Sequence, residues 1–159
     1  MRKILEVFLL ILIIMSVMNV PVLAASKDSA QTAVVHNTRA ELLSHINPEE
    51  AESRDYLIEE WYSEIRSIGN GQVSLYGWTR CNTTCDSVSV ELQLQRWNGS
   101  NWSTIGTYVF EAFNTDYNWG LRTVSVSTGN HYRVKSYHRA EDGSIYDQTT
   151  AVTQAIYLN

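Results

Sequence analysis

The stretch "SVSVELQLQRW", residues 87–97, decides the fold class, because polar and apolar residues alternate in it from Ser87 to Gln95. Val88, Val90, Leu92 and Leu94 fall on one side of an extended chain, and the polar residues between them fall on the other. Successive side chains of a β-strand point to opposite faces. The alternation therefore predicts a strand with one face in a core and the other towards water.

The chain around this stretch has the same β character from Gly71 onward. Runs rich in β-branched and aromatic residues alternate with turn-forming residues, and no helical period intervenes. The other runs are "QVSLYGWT" (72–79), "NWSTIGTYVFEAF" (101–113), "WGLRTVSVS" (119–127), "HYRVKSYHRA" (131–140) and "SIYDQTTAVTQAIYLN" (144–159). They predict a mainly β domain over residues 62–159, an antiparallel immunoglobulin-like sandwich of about seven strands.

The first residues have the pattern of an export signal. Arg2 and Lys3 precede the apolar run "VFLLILIIMSVM" (7–18), and small residues follow Pro21. We expect a signal peptide over residues 1–24, cleaved after Ala24 or one residue later, and a secreted or cell-surface protein with no membrane span after cleavage. An uncleaved anchor is the alternative, but the apolar run is shorter than the roughly 20 residues of a membrane span.

Residues 25–61 are interpreted as a flexible and partly helical leader. Residues 25–37 are polar and aperiodic, whereas Thr38 and Glu41 have the spacing of a capping box. Asn47 followed by Pro48 predicts a second helix start, and that helix could run to Arg66. The competing interpretation, which we favour, is a strand from about Tyr62, because the glycines of "GNG" (69–71) would turn it into the next β run.

The two cysteines, Cys81 and Cys85, bracket "NTT" in a predicted turn between two strands. In an exported protein such a pair predicts a disulfide, which would fix this loop rather than the whole domain. A zinc or redox pair is the other possibility. It is disfavoured because a second ligand pair is missing from the sequence and the spacing is not C-x-x-C. We expect no metal and no cofactor.

Candidates for catalysis are equally sparse. His131 and His138 are seven residues apart on one predicted strand, which sends them to opposite faces. The carboxylates of "AEDGSIYD" (140–147) match no calcium loop, and no nucleophile motif is present. The chain has a formal net charge of −5, so it lacks the basic footprint of a nucleic-acid-binding protein. We expect a protein that is not an enzyme and does not bind nucleic acid.

Aromatic side chains remain as candidates for binding. Trp97 and Trp102 flank "NGSN", and they share one face whether the turn contains two residues or four. One interpretation is a cross-strand staple, either exposed or covered by residues 48–60. The other is an exposed platform that stacks on sugar rings or on a hydrophobic partner. Trp97 and Trp102 are therefore the predicted ligand-binding residues.

The order of the pieces also carries a resemblance. "IRSIGNGQVSLYGWT", "DSVSVELQLQRWNGSNW", "VSTGNHYRVKSYH" and "TTAVTQAIYL" occur in succession over residues 62–159. In this order they resemble a group of small secreted proteins of Gram-positive, often spore-forming, bacteria with an uncharacterised immunoglobulin-like domain. The segment "VSTGNHYRV" (126–134) also resembles the tyrosine corner of such folds, although Gly129 and Tyr132 are one residue further apart than usual.

The resemblance implies export and a β-sandwich, and it supplies no catalytic residues. The expected function is non-enzymatic binding of a cell-surface or extracellular ligand such as a glycan. The alternative is a structural or protein-interaction component, for example a matrix, spore-associated or inhibitor protein.

Overall fold

The computed structural model describes residues 30–45 and 56–159. The predicted signal peptide and the first nine residues of the predicted second helix, 47–55, lie outside this part of the chain. The elements are β1 Thr32–Thr38, α1 Arg39–Leu43, β2 Ile58–Gly69, β3 Gln72–Trp97, β4 Trp102–Ser125, β5 Asn130–Asp142, β6 Ile145–Val152 and β7 Ile156–Leu158.

The strands form one seven-stranded antiparallel sheet that curls into a half-barrel. Its main path is β1-β2-β3-β5-β6, with β4 paired to β3 and β7 paired to β5. Strand β3 has 26 residues and connects the two halves of the sheet. Its first part pairs with β2 and its second part with β5, while β4 follows it on the other edge. The prediction of a mainly β, antiparallel protein is thereby confirmed.

We call the two parts the first half and the second half. The first half comprises β1, β2, residues 72–81 of β3 and residues 117–125 of β4. The second half comprises residues 85–97 of β3, residues 102–115 of β4, and β5, β6 and β7.

The core lies between the two halves and consists of two apolar clusters. The inward face predicted for residues 87–97 is confirmed, because Val88, Val90, Leu92 and Leu94 are all fully buried. The opposite face is less open to water than predicted, since Ser89 and Gln95 are buried too. The larger cluster contains Val90, Leu92 and Leu94 of β3 together with Ile65 of β2, Tyr132 of β5 and the last buried residues of the chain, Ile156 and Leu158. The smaller one contains Leu57, Ile58, Trp61, Cys81, Cys85, Val88, Ala140 and Ala151. Burying this apolar surface is the main favourable term for the fold.

Small residues permit the curl. Gly77 and Gly120 are directly paired across β3 and β4. A Cβ at Gly77 would lie 2.8 Å from a methyl group of Leu92, and one at Gly120 would overlap the Phe110 ring. Phe110 and Gly120 belong to the same strand, so β4 folds back towards itself between them. Asn118 supports the bend by donating from Nδ2 to the carbonyls of Val88 (3.0 Å) and Phe110 (2.8 Å).

The N-terminal region differs from the expected loose leader. Residues 32–38 form β1, which pairs with β2 from Thr32–Arg66 to Thr38–Glu60. The sequence of β1 does not alternate between apolar and polar residues, because β1 lies at the edge of the sheet and buries only one of its side chains, Ala33. The competition over residues 61–68 is decided in favour of a strand, which begins at Ile58 rather than Tyr62.

In the described part of the predicted helical N-terminal segment there is one five-residue helix, α1. Its N-cap is the expected one, because the Thr38 hydroxyl accepts a hydrogen bond from the Glu41 amide at 3.2 Å. Within residues 30–45 and 56–159, no helix is long and apolar enough to cross a membrane.

The segment "CNTTC" is a bulge and not the predicted turn. Strand β3 continues through it, and its pairing with β4 shifts from Arg80–Tyr117 to Cys85–Thr115. The three residues between the cysteines are exposed, whereas both cysteines face the core. The turn prediction was wrong because polar residues such as Asn and Thr, which are common in turns, also occur in bulges, where residues of a strand are left unpaired.

Candidate functional site

The most prominent surface feature is a row of aromatic side chains on the outer side of the first half. His36 pairs with Tyr62, Tyr62 with Trp78, and Trp78 with Trp119, so four neighbouring strands each place a ring in the same row. Tyr76 and Tyr117 adjoin the row. We call these six residues the aromatic face. Their positions alternate with the buried residues of the same strands, which directs their rings away from the core.

The rings of the aromatic face contact one another across the strands. The Tyr62 and Trp78 rings are nearly parallel, with an 8° angle and 5.9 Å between centroids. Trp78 lies 5.9 Å from Tyr117, and Tyr76 lies 6.3 Å from Trp119. Contacts of this kind restrict each ring and hold the surface in one arrangement. Trp119 is 54% exposed, which is unusual for a side chain of this size.

Polar and charged groups border these rings. The Tyr62 hydroxyl donates to Glu64 Oε2 at 2.8 Å, and burial together with this bond raises the pKa of Tyr62 to about 12. Burial and a hydrogen bond with Tyr76 likewise raise the pKa of Tyr117 to about 12. Both phenols therefore stay neutral hydrogen-bonding groups at physiological pH.

Two ion pairs flank the row. Arg80 lies 3.5 Å from Glu60, and its guanidinium carbon lies 5.5 Å from the Trp78 ring centroid. Arg66 lies 2.9 Å from Glu64 on the other side. An apolar strip with carboxylates, a guanidinium and hydroxyls along its edges can stack against the apolar face of a sugar ring and hydrogen-bond its hydroxyls.

The structure brings the sequence-predicted pair, Trp97 and Trp102, together at the tip of the β3–β4 hairpin. They are directly paired, as the four-residue loop requires, and their ring centroids lie 5.4 Å apart. The Asn98 side chain closes the loop by accepting hydrogen bonds from the amides of Ser100 and Asn101. Both indoles are half-buried, and the guanidinium carbon of Arg133 lies 4.3 Å from the Trp102 ring centroid.

The cysteines are adjacent, buried free thiols. Burial raises the pKa of both, and a hydrogen bond between the two thiols raises that of Cys81 further. Neutral buried thiols are poor nucleophiles and poor metal ligands. The disulfide between Cys81 and Cys85 stays a prediction.

His138 is the centre of a buried polar network. Its Nδ1 lies 2.9 Å from Thr79 Oγ1 and its Nε2 lies 2.9 Å from Ser136 Oγ. Ser63 Oγ lies 2.6 Å from Ser136 Oγ. Burial lowers the pKa of His138 to about 3, so the imidazole is neutral. All four side chains are fully buried, which leaves no path for a substrate to this serine–histidine contact.

His131 is exposed on the same strand, in agreement with the odd spacing of the two histidines. Among the described residues, no three His, Cys, Asp or Glu side chains are placed to hold a metal ion. Of the carboxylates around the β5–β6 turn, Asp147 is bound instead to Arg39, at 2.6 Å.

The aromatic face was missed in the sequence because its members lie on four strands and are far apart in the chain. Only the pairing register brings them into a row. One part of the aromatic face could have been predicted from the sequence. Tyr76 and Trp78 alternate with Val73 and Leu75 in "QVSLYGWT", which places both rings on the side of the strand opposite the core. Comparison with protein-family models, with curated proteins and with solved structures finds no match for this chain.

Proposed function

We propose that the protein is a secreted, non-enzymatic binding protein that recognises a glycan chain on its aromatic face. The observation that carries the proposal is the row of His36, Tyr62, Trp78 and Trp119 on four paired strands. With about 4.8 Å between neighbouring strands, the row extends over about 14 Å. That length fits several linked sugar rings lying across the strands.

The test measures binding of a soluble β-linked glucan oligomer, a chitin oligomer and peptidoglycan fragments by isothermal titration calorimetry. We expect at least one of these to bind, and Trp119→Ala to weaken that binding about tenfold or more, since a lost ring contact is worth about 1.4 kcal/mol. Phe113→Ala is the matched control, because Phe113 is also on β4, is 66% exposed and lies outside the aromatic face. Equal losses in both variants, or no binding of any glycan, would refute the proposal.

Export is part of this proposal and rests on the apolar run after Arg2 and Lys3. Expression in a Gram-positive host should deliver to the medium a chain whose N-terminus is Ala25 or Ser26. Replacing Leu10 and Ile11 with arginine should retain the protein in the cell, because the apolar segment would be interrupted. A chain that stays cell-bound with Met1 intact would contradict cleavage.

We further propose that the curled sheet is an immunoglobulin-like sandwich and that the chain belongs with the small secreted proteins it resembles. The facing cores of the two halves support this assignment. So does the buried Tyr132, whose hydroxyl donates to the Ser127 carbonyl at 2.7 Å, as in a tyrosine corner. A crystal structure with two packed sheets joined in Greek-key order would be the decisive observation, whereas an unpacked single sheet would exclude the assignment.

The alternative function, protein interaction, is favoured by a different observation. Within the described part of the chain, β4 pairs only with β3, so its other edge is open. Ile105, Val109 and Phe113 are exposed on this strand. Free edges of this kind pair with further strands. Association that rises with protein concentration in light scattering, and that Val109→Lys abolishes, would favour this role over glycan binding.

A further inference from the structure

A second surface, on the outer side of the second half, has a different chemistry. Here Gln93 and Gln95 of β3 lie opposite Lys135 and Arg133 of β5, and Trp97 follows on the same side of β3. Trp102 adjoins them on β4. We call Gln95, Trp97, Trp102, Arg133 and Lys135 the tryptophan–arginine cluster. It shares no residue with the aromatic face, so a ligand bound here does not depend on glycan binding there.

Four of the five side chains of the cluster contact one another, whereas the Lys135 ammonium lies 5.0 Å from the Tyr137 ring centroid. Arg133 Nε donates to Gln95 Oε1 at 2.8 Å, and its guanidinium lies over the Trp102 ring. Trp102 in turn contacts Trp97. The guanidinium is thus fixed through Nε and one flat face, while its two terminal nitrogens make no hydrogen bond to any described residue. A fixed guanidinium with free terminal nitrogens is suited to bind a carboxylate through two parallel hydrogen bonds.

The cluster also carries unbalanced positive charge on an acidic protein. In the described residues the ion pairs involve His36, Arg39, Arg66, Arg80 and Arg139, and neither Arg133 nor Lys135 takes part in one. The nearest acidic residue along this face of β3, Glu91, is bound to Arg139 at 3.1 Å. Partial burial of an unpaired cation costs free energy, and burial lowers the pKa of Arg133. A ligand with negative charge would remove this cost.

We propose that the tryptophan–arginine cluster binds a sugar chain that carries carboxylate groups, a polyuronate. A carboxylate of the chain pairs with the terminal nitrogens of Arg133, and Lys135 adds a second positive charge. The sugar ring that carries the carboxylate lies on Trp97, whose indole is next to the Arg133–Trp102 stack. A long polyphosphate offers no sugar ring to the indoles, and the two cations of the cluster that form no ion pair with a described residue are too few to hold its closely spaced charges.

The test compares two forms of one ligand, oligogalacturonate and its methyl ester, by isothermal titration calorimetry with the full chain. The sugar rings are the same in both, and only the free acid has the negative charge. We expect the acid to bind, its affinity to fall as salt rises, and the ester to bind at least about tenfold more weakly. Equal binding of acid and ester, or no binding of the acid, would overturn the proposal.

The variants locate the site. Arg133→Ala should weaken binding of the acid about tenfold or more, and Arg133→Lys should restore only part of it, because lysine keeps the charge and lacks the planar fork. Arg122→Ala is the matched control, since Arg122 also lies over a ring, Tyr108, and forms no ion pair with a described residue. The Arg122→Ala variant should bind oligogalacturonate as tightly as the unaltered chain does. Arg133→Ala binding as tightly as Arg122→Ala would refute the site.

Two further measurements distinguish polyuronate binding at the cluster from glycan binding on the aromatic face and from binding of an acidic peptide. Trp119→Ala, which removes an exposed ring of the aromatic face, should leave oligogalacturonate binding unchanged, so failure of one proposal is distinguishable from failure of the other. Oligoglutamate carries carboxylates without sugar rings and should bind at least about tenfold more weakly than oligogalacturonate. Equal affinity for the two would replace the polyuronate with an acidic peptide. Circular dichroism verifies that each variant is folded.

Discussion

At the residue scale, His138 shows how a polar group can be placed inside a β core without an unpaired atom. The distances fit a directional chain in which Ser63 donates to Ser136, Ser136 to Nε2, Nδ1–H to Thr79, and Thr79 to the carbonyl of Ser89 at 3.0 Å. A neutral imidazole completes every bond in this chain. A protonated imidazole would make Nε2 a donor, so the Ser136 hydroxyl would have to turn from Nε2 to the more distant Ala151 carbonyl at 3.4 Å, in addition to the cost of burying the charge.

This arrangement predicts acid sensitivity. The unfolded His138 has a pKa near 6.5 and the folded one a pKa of about 3, so the unfolded chain binds the extra proton between these values. The contribution of His138 to the free energy of unfolding is therefore fully present above pH 6.5. It falls as the pH drops towards 3, by at most about 5 kcal/mol. Urea unfolding at a series of pH values measures the slope.

His138→Asn should be less stable than the unaltered protein at pH 7 and should have a flatter pH dependence between 6.5 and 3. His131→Asn, at the exposed position of the same strand, is the control and should retain the slope. A slope unchanged by His138→Asn would show that other groups cause the acid sensitivity.

Asp147 ties the N-terminal region to the sheet. One carboxylate oxygen accepts hydrogen bonds from Arg39 (2.6 Å) and from the amides of Leu57 (3.1 Å) and Ile58 (2.9 Å). Asp147→Asn should lower the free energy of unfolding by about 3 kcal/mol, because the charge of Arg39 would be left buried without its partner. Arg66→Gln removes one member of a more exposed pair and should cost under about 1 kcal/mol. Chemical denaturation of both variants gives the comparison, and similar costs would contradict this account.

At the element scale, the fold depends on the bend of β4. The strand bends between Phe110 and Gly120 so that these two residues come into contact, and Asn114 adopts a positive φ of 53° between them. A side chain at position 120 would meet the Phe110 ring. The curl of the sheet therefore requires glycine here for close approach, although the position is in an ordinary extended strand.

Gly120→Ala should destabilise the protein by about 2 kcal/mol, as overpacking in a filled core does. The double variant with Phe110→Ala should lose less stability than the sum of the two single variants, because the smaller side chain leaves room for the new methyl group. Thermal unfolding of the three variants completes the cycle. Additive losses would mean that Gly120 is required for a reason other than contact with Phe110.

At the scale of the whole molecule, β3 and β5 both run through the two apolar clusters, with His138 between them. The clusters therefore cannot separate without breaking the β3–β5 pairing, and unfolding should be a single transition. Leu92→Ala in the larger cluster should lower the free energy of unfolding by about 3 kcal/mol.

The measurement follows tryptophan fluorescence, which includes the buried Trp61 of the smaller cluster, and far-UV circular dichroism of the whole sheet. The two transitions should coincide in the unaltered chain and should move together in Leu92→Ala. A fluorescence change that stays in place while the circular dichroism transition moves would show that the clusters unfold independently.

What the sequence by itself determined is local. The alternation in residues 87–97 assigned the inward face, parity placed Trp97 and Trp102 together, and the spacing of Thr38 and Glu41 identified a helix cap. Each of these depends on neighbours within a few residues, where backbone geometry alone sets the directions of side chains. The expected number of strands agrees with the observed seven, yet two predicted pairs of strands are the single long strands β3 and β4.

Only the tertiary structure decided which distant residues meet. Strand β1 could not be recognised from its own sequence, because its extended conformation is held by pairing with β2. The segment "CNTTC" has the composition of a turn, and only the pairing of β3 with β4 on both sides of it shows that it is a bulge. The aromatic face and the contact of Arg133 with Trp102 arise from register between strands that are far apart in the chain. Local sequence sets the direction of a side chain, whereas its neighbours on a sheet are set by long-range pairing, which no short window of residues contains.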